Sequence, residues 1–408
     1  MNLGTKNTGT AVFWSLCLMG GFMILSSTMS KSGSVFNPFS KSLGTPDAWS
    51  GLLVSASTIP GILVSLPAAS LSDIFGRKRF LLLAGIVFAS APFLYLVITA
   101  WWQLILVRFY HGFATAIFVP VAEASIAELF PAKRGERISL FTSATYVGRI
   151  IAPTLGGYIL FASNNDFHQA YLAVAAAAMA GLLTALPFLA RKGQSTPVSR
   201  QPAGEAIKKM FFGWRRLVGN EGMLIVSLIQ ASQYYVFGAF DYYLADYLIN
   251  DLKYNTLKQG LFASSVFAVA IFARPSMGRV SDRIGRRIPI VLGSILSALA
   301  LLTIPYITDF TALMILLVAY GFGFATVTSS TSPLISELAP KELVGTSMGF
   351  LDTMMDVGQT IGGFATGLVF ATSLHYVGVF LSFAIVLFLS CTVFAISSVG
   401  KRNWNKSR

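Results

Sequence analysis

Long apolar runs alternate with short polar segments along the whole chain of 408 residues. A run of about 20 apolar residues is long enough to cross a bilayer as a helix. The sequence therefore predicts an all-α membrane protein with twelve transmembrane helices. The predicted spans are 11–35, 48–70, 80–100, 102–127, 138–161, 169–189, 222–245, 259–279, 288–308, 310–334, 345–371 and 375–398.

One long polar interruption, residues 190–221, divides the predicted spans into two sets of six. We therefore expect an N-terminal six-helix bundle at 1–189, a cytoplasmic linker at 190–221 and a C-terminal six-helix bundle at 222–408. Within the linker, Glu205–Val218 could form an interfacial amphipathic helix with its aromatic residues toward lipid. A solvated basic loop remains the alternative.

The two halves carry the same motif. The segment Ala69–Lys78 returns in altered form as Gly278–Arg287, at an offset of 209 residues. The same offset relates Glu128 to Glu337, so it holds over more than sixty residues. A fixed offset that holds over this many residues indicates an internal sequence repeat. Repeated membrane bundles with a site between them are typical of secondary transporters.

Composition and charge agree with this prediction. The chain is 54% hydrophobic and 12% charged, with a mean hydropathy of +0.68 and a net charge of +13. The cations concentrate in alternate polar segments, so the positive-inside rule predicts that both termini are cytoplasmic. They are spread over short loops without a basic module, which argues against nucleic-acid binding and favours contact with anionic lipid. The basic segments are residues 77–79, 133–137, 191–216, 279–287 and 401–408.

Other chemistry is not indicated. The first span is too long for a cleavable signal, so we expect it to be retained as a helix. Cys17 and Cys391 lie inside spans and are expected to be buried apolar residues. The three histidines are far apart in sequence, no phosphate-binding loop occurs, and no nucleophile–base pairing emerges. The sequence predicts no metal, no cofactor and no catalysis, so an ion gradient would have to drive uphill transport.

Three motifs together resemble the major facilitator superfamily. The repeated loop matches G-x-x-x-D-R-x-G-R-R fully in the second half, whereas the first half has Ala69 and Ile74 at two of its positions. Arg108–Gly112 resembles R-x-x-Q-G, with His111 in place of the glutamine. Gly148–Gly157 resembles the G-x-x-x-G-P-x-x-G-G motif of antiporters, with Ala152 for one glycine, and points to the drug:proton antiporter branch. The resemblance covers the whole chain and implies a twelve-helix major facilitator fold.

The loop motif predicts a cytoplasmic gate. The first aspartate of each copy could cap backbone N–H groups, and the arginine four residues later could pair with the glutamate that ends another helix. Such a cluster would close in one state and release in another. A static role in holding cations at the cytoplasmic side remains the alternative. The gating residues are Asp73, Gly76, Arg77 and Glu128, and in the second copy Asp282, Gly285, Arg286 and Glu337.

The fifth span carries small residues at intervals of about four positions, which lets another backbone approach closely. Pro153 is expected to bend this helix. The family resemblance implies that the fifth helix meets the eighth between the halves and resists leak, but ordinary tight packing predicts the same stripe. The packing residues are Gly148, Ala152, Pro153, Gly156 and Gly157.

Ionisable groups at membrane depth are costly and usually face a cavity or a partner. Arg149 is about 18 Å into its helix, near the midplane, and Asp356 is at similar depth in the repeat-related helix. Asp356 is our first candidate for the proton carrier. Lys31 could instead extend outward, Arg108 could hold carbonyls of the first helix, and Asp246 is expected to be exposed at the outer surface. The candidate substrate or proton-coupling residues are Lys31, Arg108, His111, Glu123, Arg149, Gln230, Gln233, Tyr234, Asp241, Asp352, Asp356 and Gln359.

These observations predict a proton-coupled, alternating-access transporter in the cytoplasmic membrane of a prokaryote, functional as a monomer. The antiporter-like motif favours export of a small organic or amphiphilic compound by proton exchange. Transport of an organic anion, a metabolite or a metal chelator, remains open because Lys31, Arg108 and Arg149 place cations in the first half. A sensor or assembly factor that moves nothing is a third alternative, although the two gating motifs argue against it.

Overall fold

The structure, a computed structural model, describes residues 3–189, 219–340 and 343–399, and these ranges fold as helices with short connections. Eight α-helices precede the linker. They are α1 (Leu3–Lys31), α2 (Gly33–Ser42), α3 (Asp47–Ser55), α4 (Ile59–Phe75), α5 (Arg77–Leu96), α6 (Trp101–Leu129), α7 (Arg134–Ala162) and α8 (Phe167–Leu189).

Six α-helices in the described residues follow the linker. They are α9 (Glu221–Asp246), α10 (Thr256–Ile284), α11 (Arg287–Thr303), α12 (Phe310–Leu338), α13 (Val344–Phe370) and α14 (His375–Ile396). A π-helical turn, Tyr247–Asp251, continues α9. The possible helix Glu205–Val218 lies outside the described residues.

The helices follow the predicted spans, with two differences. The first span is divided at Ser32, whose backbone is extended (φ −63°, ψ 142°), into α1 and α2. The second is divided before α4, which has Pro60 in its first turn, a position where the missing N–H is not needed. Both breaks fall in short polar stretches, 30–34 and 55–58, which the predicted spans run through.

Ten helical segments among the described residues are long and apolar enough to cross a membrane, so the chain is a multi-pass membrane protein. The predicted fifth and eleventh spans are also helical, as the 29-residue α7 and the 27-residue α13. They are not among the ten. Both carry charges inside the span, Arg149 in α7 and Asp352 and Asp356 in α13, which lowers their hydropathy.

The chain divides into two compact units, and each includes a short segment from the other half of the sequence. Unit 1 comprises Met1–Thr45, Ala56–Ile207 and Leu244–Ser264, and unit 2 comprises Pro46–Ser55, Lys208–Tyr243 and Ser265–Arg408. In unit 1, α1 packs against α7 and α8 around a buried apolar core. In unit 2, α11 packs against α12 and α14, and α3 packs against α13.

Small residues allow several of these close contacts. A Cβ on Gly148 of α7 would lie 2.5 Å from the carbonyl oxygen of Gly21 in α1. In unit 2, a Cβ on Gly362 of α13 would lie 2.0 Å from the carbonyl oxygen of Tyr235 in α9. No larger residue fits at either position without moving a backbone, so these glycines set the separation of the helices.

Candidate functional site

The repeated loop has the same backbone geometry in both halves. Gly76 joins α4 to α5 with a φ of 96°, and Gly285 joins α10 to α11 with a φ of 92°. Only glycine adopts this region readily, because it has no Cβ. The motif therefore requires glycine at this position to turn the chain and to place the following arginine.

Both arginines of the motif form ion pairs. Arg77 donates from Nε to Glu128 Oε2 at 2.7 Å, and Arg286 donates from Nη2 to Glu337 Oε1 at 2.9 Å. Arg286 also pairs with Asp282. Partial burial lowers the pKa of Arg286, but hydrogen bonds and charges from Glu337 and Asp282 raise it above its ordinary value. The guanidinium therefore stays charged, and release of the pairs during a cycle remains a prediction; the side chain of Asp73 is outside the described part of the structure.

We expect Glu128→Gln and Glu337→Gln each to slow transport several-fold without changing the thermal unfolding temperature appreciably. Glu128 and Glu337 are 39% and 54% exposed, and exposed ion pairs contribute less than about 1 kcal/mol to folding. The same energy has a larger effect on transport, because the two states of a transporter differ little in free energy and a small change shifts their populations. Transport rates in proteoliposomes at matched expression measure the effect.

Glu136→Gln is the matched control, since Glu136 forms an exposed pair with Lys133 outside the motif. Unimpaired transport in both motif variants would favour the static role of these charges.

A polar cavity lies in unit 1 between α1, α6 and Ser57, two residues before α4. Lys31, Arg108 and His111 all line it, so these three candidates come together. Arg108 donates from Nη2 to Ser57 Oγ at 3.0 Å, and its guanidinium lies 4.3 Å from the centre of the Phe36 ring. His111 is 4% exposed, with Nδ1 3.5 Å from Ser30 Oγ.

The other two candidates of unit 1 lie apart from this cavity. Glu123 is half-buried on α6, more than three turns beyond Arg108. Arg149 is half-buried on α7, and its guanidinium lies 5.8 Å from the centre of the Tyr146 ring. Arg149 belongs to unit 1 and Asp356 to unit 2.

The glutamine candidates on α9 bind neighbouring helices in unit 2. Gln230 Oε1 accepts a hydrogen bond from Thr331 Oγ1 of α12 at 2.7 Å, and Gln233 Nε2 donates to Ser294 Oγ of α11 at 3.4 Å. Both side chains are buried. These contacts give each glutamine a packing role whether or not it meets a substrate.

Aromatic residues and one further cation lie beside them. The rings of Tyr234 and Phe237 contact the ring of Phe324 at centroid distances of 5.4 and 4.9 Å. Arg274 of α10 lies 5.9 Å from the centre of the Phe324 ring and donates to Thr328 Oγ1 at 3.5 Å. Arg274 is not among the predicted site residues, although a charge inside the predicted span 259–279 is the signal that could have identified it.

The candidate carboxylates of unit 2 lie on α9 and α13. Asp241 and Asp356 are half-buried, as is Gln359, and Asp352 is exposed. On α13, Asp352 and Asp356 continue the face on which the carbonyl of Thr360 accepts a hydrogen bond from Ser55 Oγ of α3 at 2.7 Å. The two acids thus lie along one face, beyond the contact with α3.

The expectation that Asp246 is exposed is wrong. Asp246 is 2% exposed, and its Oδ1 accepts hydrogen bonds from Asn37 at 2.9 Å and Asn250 at 3.0 Å. Lys41 Nζ lies 3.6 Å from the same oxygen. A buried carboxylate requires such donors, and the sequence did not reveal them because two of them, Asn37 and Lys41, lie beyond the end of the first predicted span. We call these four residues the Asp246 cluster.

The cluster joins equivalent positions of the internal repeat. Asn37 and Asp246 are 209 residues apart, which is the repeat offset. Lys41 and Asn250 are related by the same offset. The cluster thus brings each of these residues together with its own repeat counterpart inside unit 1.

The fifth-span motif contacts the beginning of α10 inside unit 1. A Cβ on Gly157 would lie 2.3 Å from the carbonyl oxygen of Thr256, and one on Gly260 would lie 2.3 Å from that of Pro153. Thr256 Oγ1 donates to the carbonyl of Gly157 at 2.9 Å. Gly156 faces Val35 of α2, where a Cβ would lie 2.6 Å from the valine side chain. The stripe therefore contacts three helices closely.

Comparison with known proteins gives a family. The profile of the Major Facilitator Superfamily matches residues 16–275 and 226–407. An uncharacterized MFS-type transporter of Methanocaldococcus jannaschii is 24% identical over 336 residues, 81% of this chain and 84% of that protein. A protein of Lactococcus lactis named as a multi-drug resistance efflux pump homolog is 25% identical over 334 residues, 78% of each chain.

Solved structures agree in fold. A bacterial homolog of the human lysosomal transporter Spinster, in an inward-facing conformation, superposes with a TM-score of 0.80 at 16% identity, over 95% of this chain and 96% of that one. A D-xylose–proton symporter superposes with a TM-score of 0.75 at 16% identity, over 94% and 97%. At these identities the likeness extends to the fold alone.

Proposed function

Because the chain belongs to the Major Facilitator Superfamily, we propose that it is a proton-coupled transporter that exports small organic or amphiphilic compounds by antiport. It is a multi-pass membrane transporter of small molecules that resembles the drug:proton antiporter branch. The proposal adds twelve spans in two six-helix halves, both termini at the cytoplasmic side of a prokaryotic membrane, and function as a monomer.

The observation that carries the proposal is the pair of carboxylates on α13. A carboxylate within a membrane-spanning helix is costly and is usually part of an ion or substrate pathway. Asp352 and Asp356 lie one turn apart on one face, in a helix that packs closely on its neighbours through Gly358 and Gly362. A proton that binds one of them would change the free energy of burying it, and so bias the equilibrium between two transporter states.

Alternating access is supported by the contacts of Leu244–Ser264 in unit 1. This segment packs through Thr256, Gly260 and the Asp246 cluster. Close packing of small residues with a few polar contacts forms a seal that can separate without exposing a large apolar core. The positive-inside rule assigns this seal to the outer side.

Export rests on two supports, the fifth-span motif and the relatives. The Lactococcus lactis relative is named for multidrug resistance, and so is a relative from Bacillus subtilis. The Bacillus subtilis protein is 28% identical over 163 residues, which are 39% of this chain and 31% of that protein. The aromatic residues Tyr234, Phe237 and Phe324 would suit an amphiphilic compound, since ring faces bind apolar and cationic groups.

The test is transport into proteoliposomes with an acidic lumen. We expect compounds from a panel of cationic, neutral and anionic amphiphiles to accumulate, and a protonophore to abolish the accumulation. Liposomes without protein are the control. Accumulation only toward the alkaline side would indicate symport, and accumulation insensitive to the protonophore would exclude proton coupling.

A further inference from the structure

The polar cavity of unit 1 is not required by the fold, because the second half has the same scaffold without it. Gly112 lies against residue 57, where a Cβ would be 2.4 Å from the carbonyl oxygen of Ser57. The repeat-related Gly321 lies against Val266 in the same way, at 3.0 Å. The internal repeat thus provides a built-in comparison for each residue that lines the cavity.

In the second half the equivalent positions are apolar and filled. Phe240 stands where the first half has Lys31, Leu317 where it has Arg108, and Tyr320 where it has His111. The rings of Phe240 and Tyr320 pack together, with their centroids 4.6 Å apart. The buried counterparts of Ser30, Lys31, Ser57, Arg108, His111 and Thr115 are Ala239, Phe240, Val266, Leu317, Tyr320 and Phe324. A polar cavity in place of an ordinary core indicates a binding role.

The lining of the cavity is rich in donors. Lys31 and Arg108 are cationic, serine and threonine hydroxyls lie beside them, and no aspartate or glutamate contributes to the lining in the described part of the chain. His111 is buried, and its Nε2 has no hydrogen-bond partner among the described residues. Contacts to Ser57 and Phe36 hold the guanidinium of Arg108, whose fork of donors matches a carboxylate.

The size of the cavity limits what it can hold. Its enclosed volume is about 10 Å³, the space of about one water molecule, and it opens to solvent. Pockets for whole drug-sized ligands are about 300–1,000 Å³. The cavity can therefore take only a small polar group, with the remainder of a ligand outside it.

We propose that this cavity is an anion subsite that binds the carboxylate of an amphiphilic organic acid carried by the transporter. The inference rests on the proposed function for the statement that the ligand is carried. The sequence left transport of an organic anion open as an alternative. Here the head group of that anion would bind to Lys31, Arg108 and His111. The second half has the same helix packing with apolar residues at the equivalent positions, so the fold does not require such a site.

The test is calorimetric titration of the purified protein in nanodiscs with benzoate and 1-naphthaleneacetate, each compared with its amide. We expect the unchanged protein to bind each acid about tenfold or more tightly than the amide, because charge-assisted hydrogen bonds discriminate by that amount. Arg108→Leu and Lys31→Gln should each remove most of this preference. Arg108→Leu introduces the residue that the second half has, and Lys31 is exposed, so folding is preserved in at least one variant.

Lys258→Gln is the control for overall charge, since Lys258 is an exposed cation of unit 1 outside the cavity, and it should keep the preference. Equal binding of acids and amides by the unchanged protein would overturn the proposal. So would a preference that survives in a folded Arg108→Leu protein. Binding of inorganic phosphate without preference for the organic acids would also overturn it, because the site would then serve a free inorganic anion.

The subsite and the transport function can fail separately. Acid preference without gradient-driven transport would support the subsite and contradict the antiport proposal. Gradient-driven export of cationic or neutral compounds, with equal binding of acids and amides, would support antiport and overturn the subsite.

Discussion

In Asp246→Asn, a cysteine at position 256 is expected to react with an impermeant thiol reagent about tenfold faster than in the unchanged background. Asp246 is buried, accepts hydrogen bonds from Asn37 and Asn250, and pairs with Lys41, whose Nζ lies 3.6 Å from Oδ1. Asparagine keeps an oxygen acceptor but loses the charge, which weakens the cluster by about 1–2 kcal/mol. That loss shifts a two-state equilibrium about tenfold toward the state without the contact.

Position 256 reports the seal directly. Thr256 is 5% exposed, and its hydroxyl donates to the carbonyl of Gly157. Thr256→Cys would be introduced into a chain with Cys17→Ala and Cys391→Ala, so that labelling reports position 256 alone. Both natural cysteines are buried and unbonded. The reagent is added to the side opposite the basic loops, and the labelling rate is followed by mass spectrometry.

Asp251→Asn is the matched control, because Asp251 is an exposed carboxylate in the same π-helical turn that carries Asn250. It should leave the labelling rate unchanged. Equal rates in Asp246→Asn, Asp251→Asn and the unchanged background would mean that the cluster does not hold the seal.

Local features of the fold could be predicted because they depend on short stretches of sequence. Apolar runs locate the helices well, since crossing a bilayer requires a continuous apolar segment. The breaks at Ser32 and before α4 were missed because polar stretches of four or five residues do not end an apolar run of about 20 residues. Cys17 and Cys391 are buried, as their apolar surroundings predicted.

Features of the candidate site differ in how far they depend on distant partners. Lys31, Arg108 and His111 meet because α1 and α6 pack in unit 1, and periodicity alone could not show this. The burial of Asp246 depends on Asn37, 209 residues away, so a rule based on position near a span end gave the wrong answer. Arg274 was overlooked although its charge inside an apolar span was visible.

Asp356→Asn is expected to abolish gradient-driven accumulation, a loss of at least tenfold, while substrate binding and passive exchange persist. A carboxylate that carries the proton must exist in both charge states during the cycle, and asparagine permanently mimics the neutral one. Asp356 is half-buried on the α13 face that contacts α3 one turn further on. The measurement is proton movement, followed with a pH-sensitive dye, when substrate is added to proteoliposomes.

Asp352→Asn is the closest comparison, because Asp352 lies on the same face about 6 Å nearer the cytoplasmic end and is more exposed. An exposed carboxylate changes its environment less during a cycle, so its neutralisation should reduce accumulation less than that of Asp356. Equal losses in both variants would mean that the two acids act as one proton site. Undiminished substrate-dependent proton movement in Asp356→Asn would remove Asp356 from the mechanism and leave Glu123 and His111 on α6 as the next residues to test.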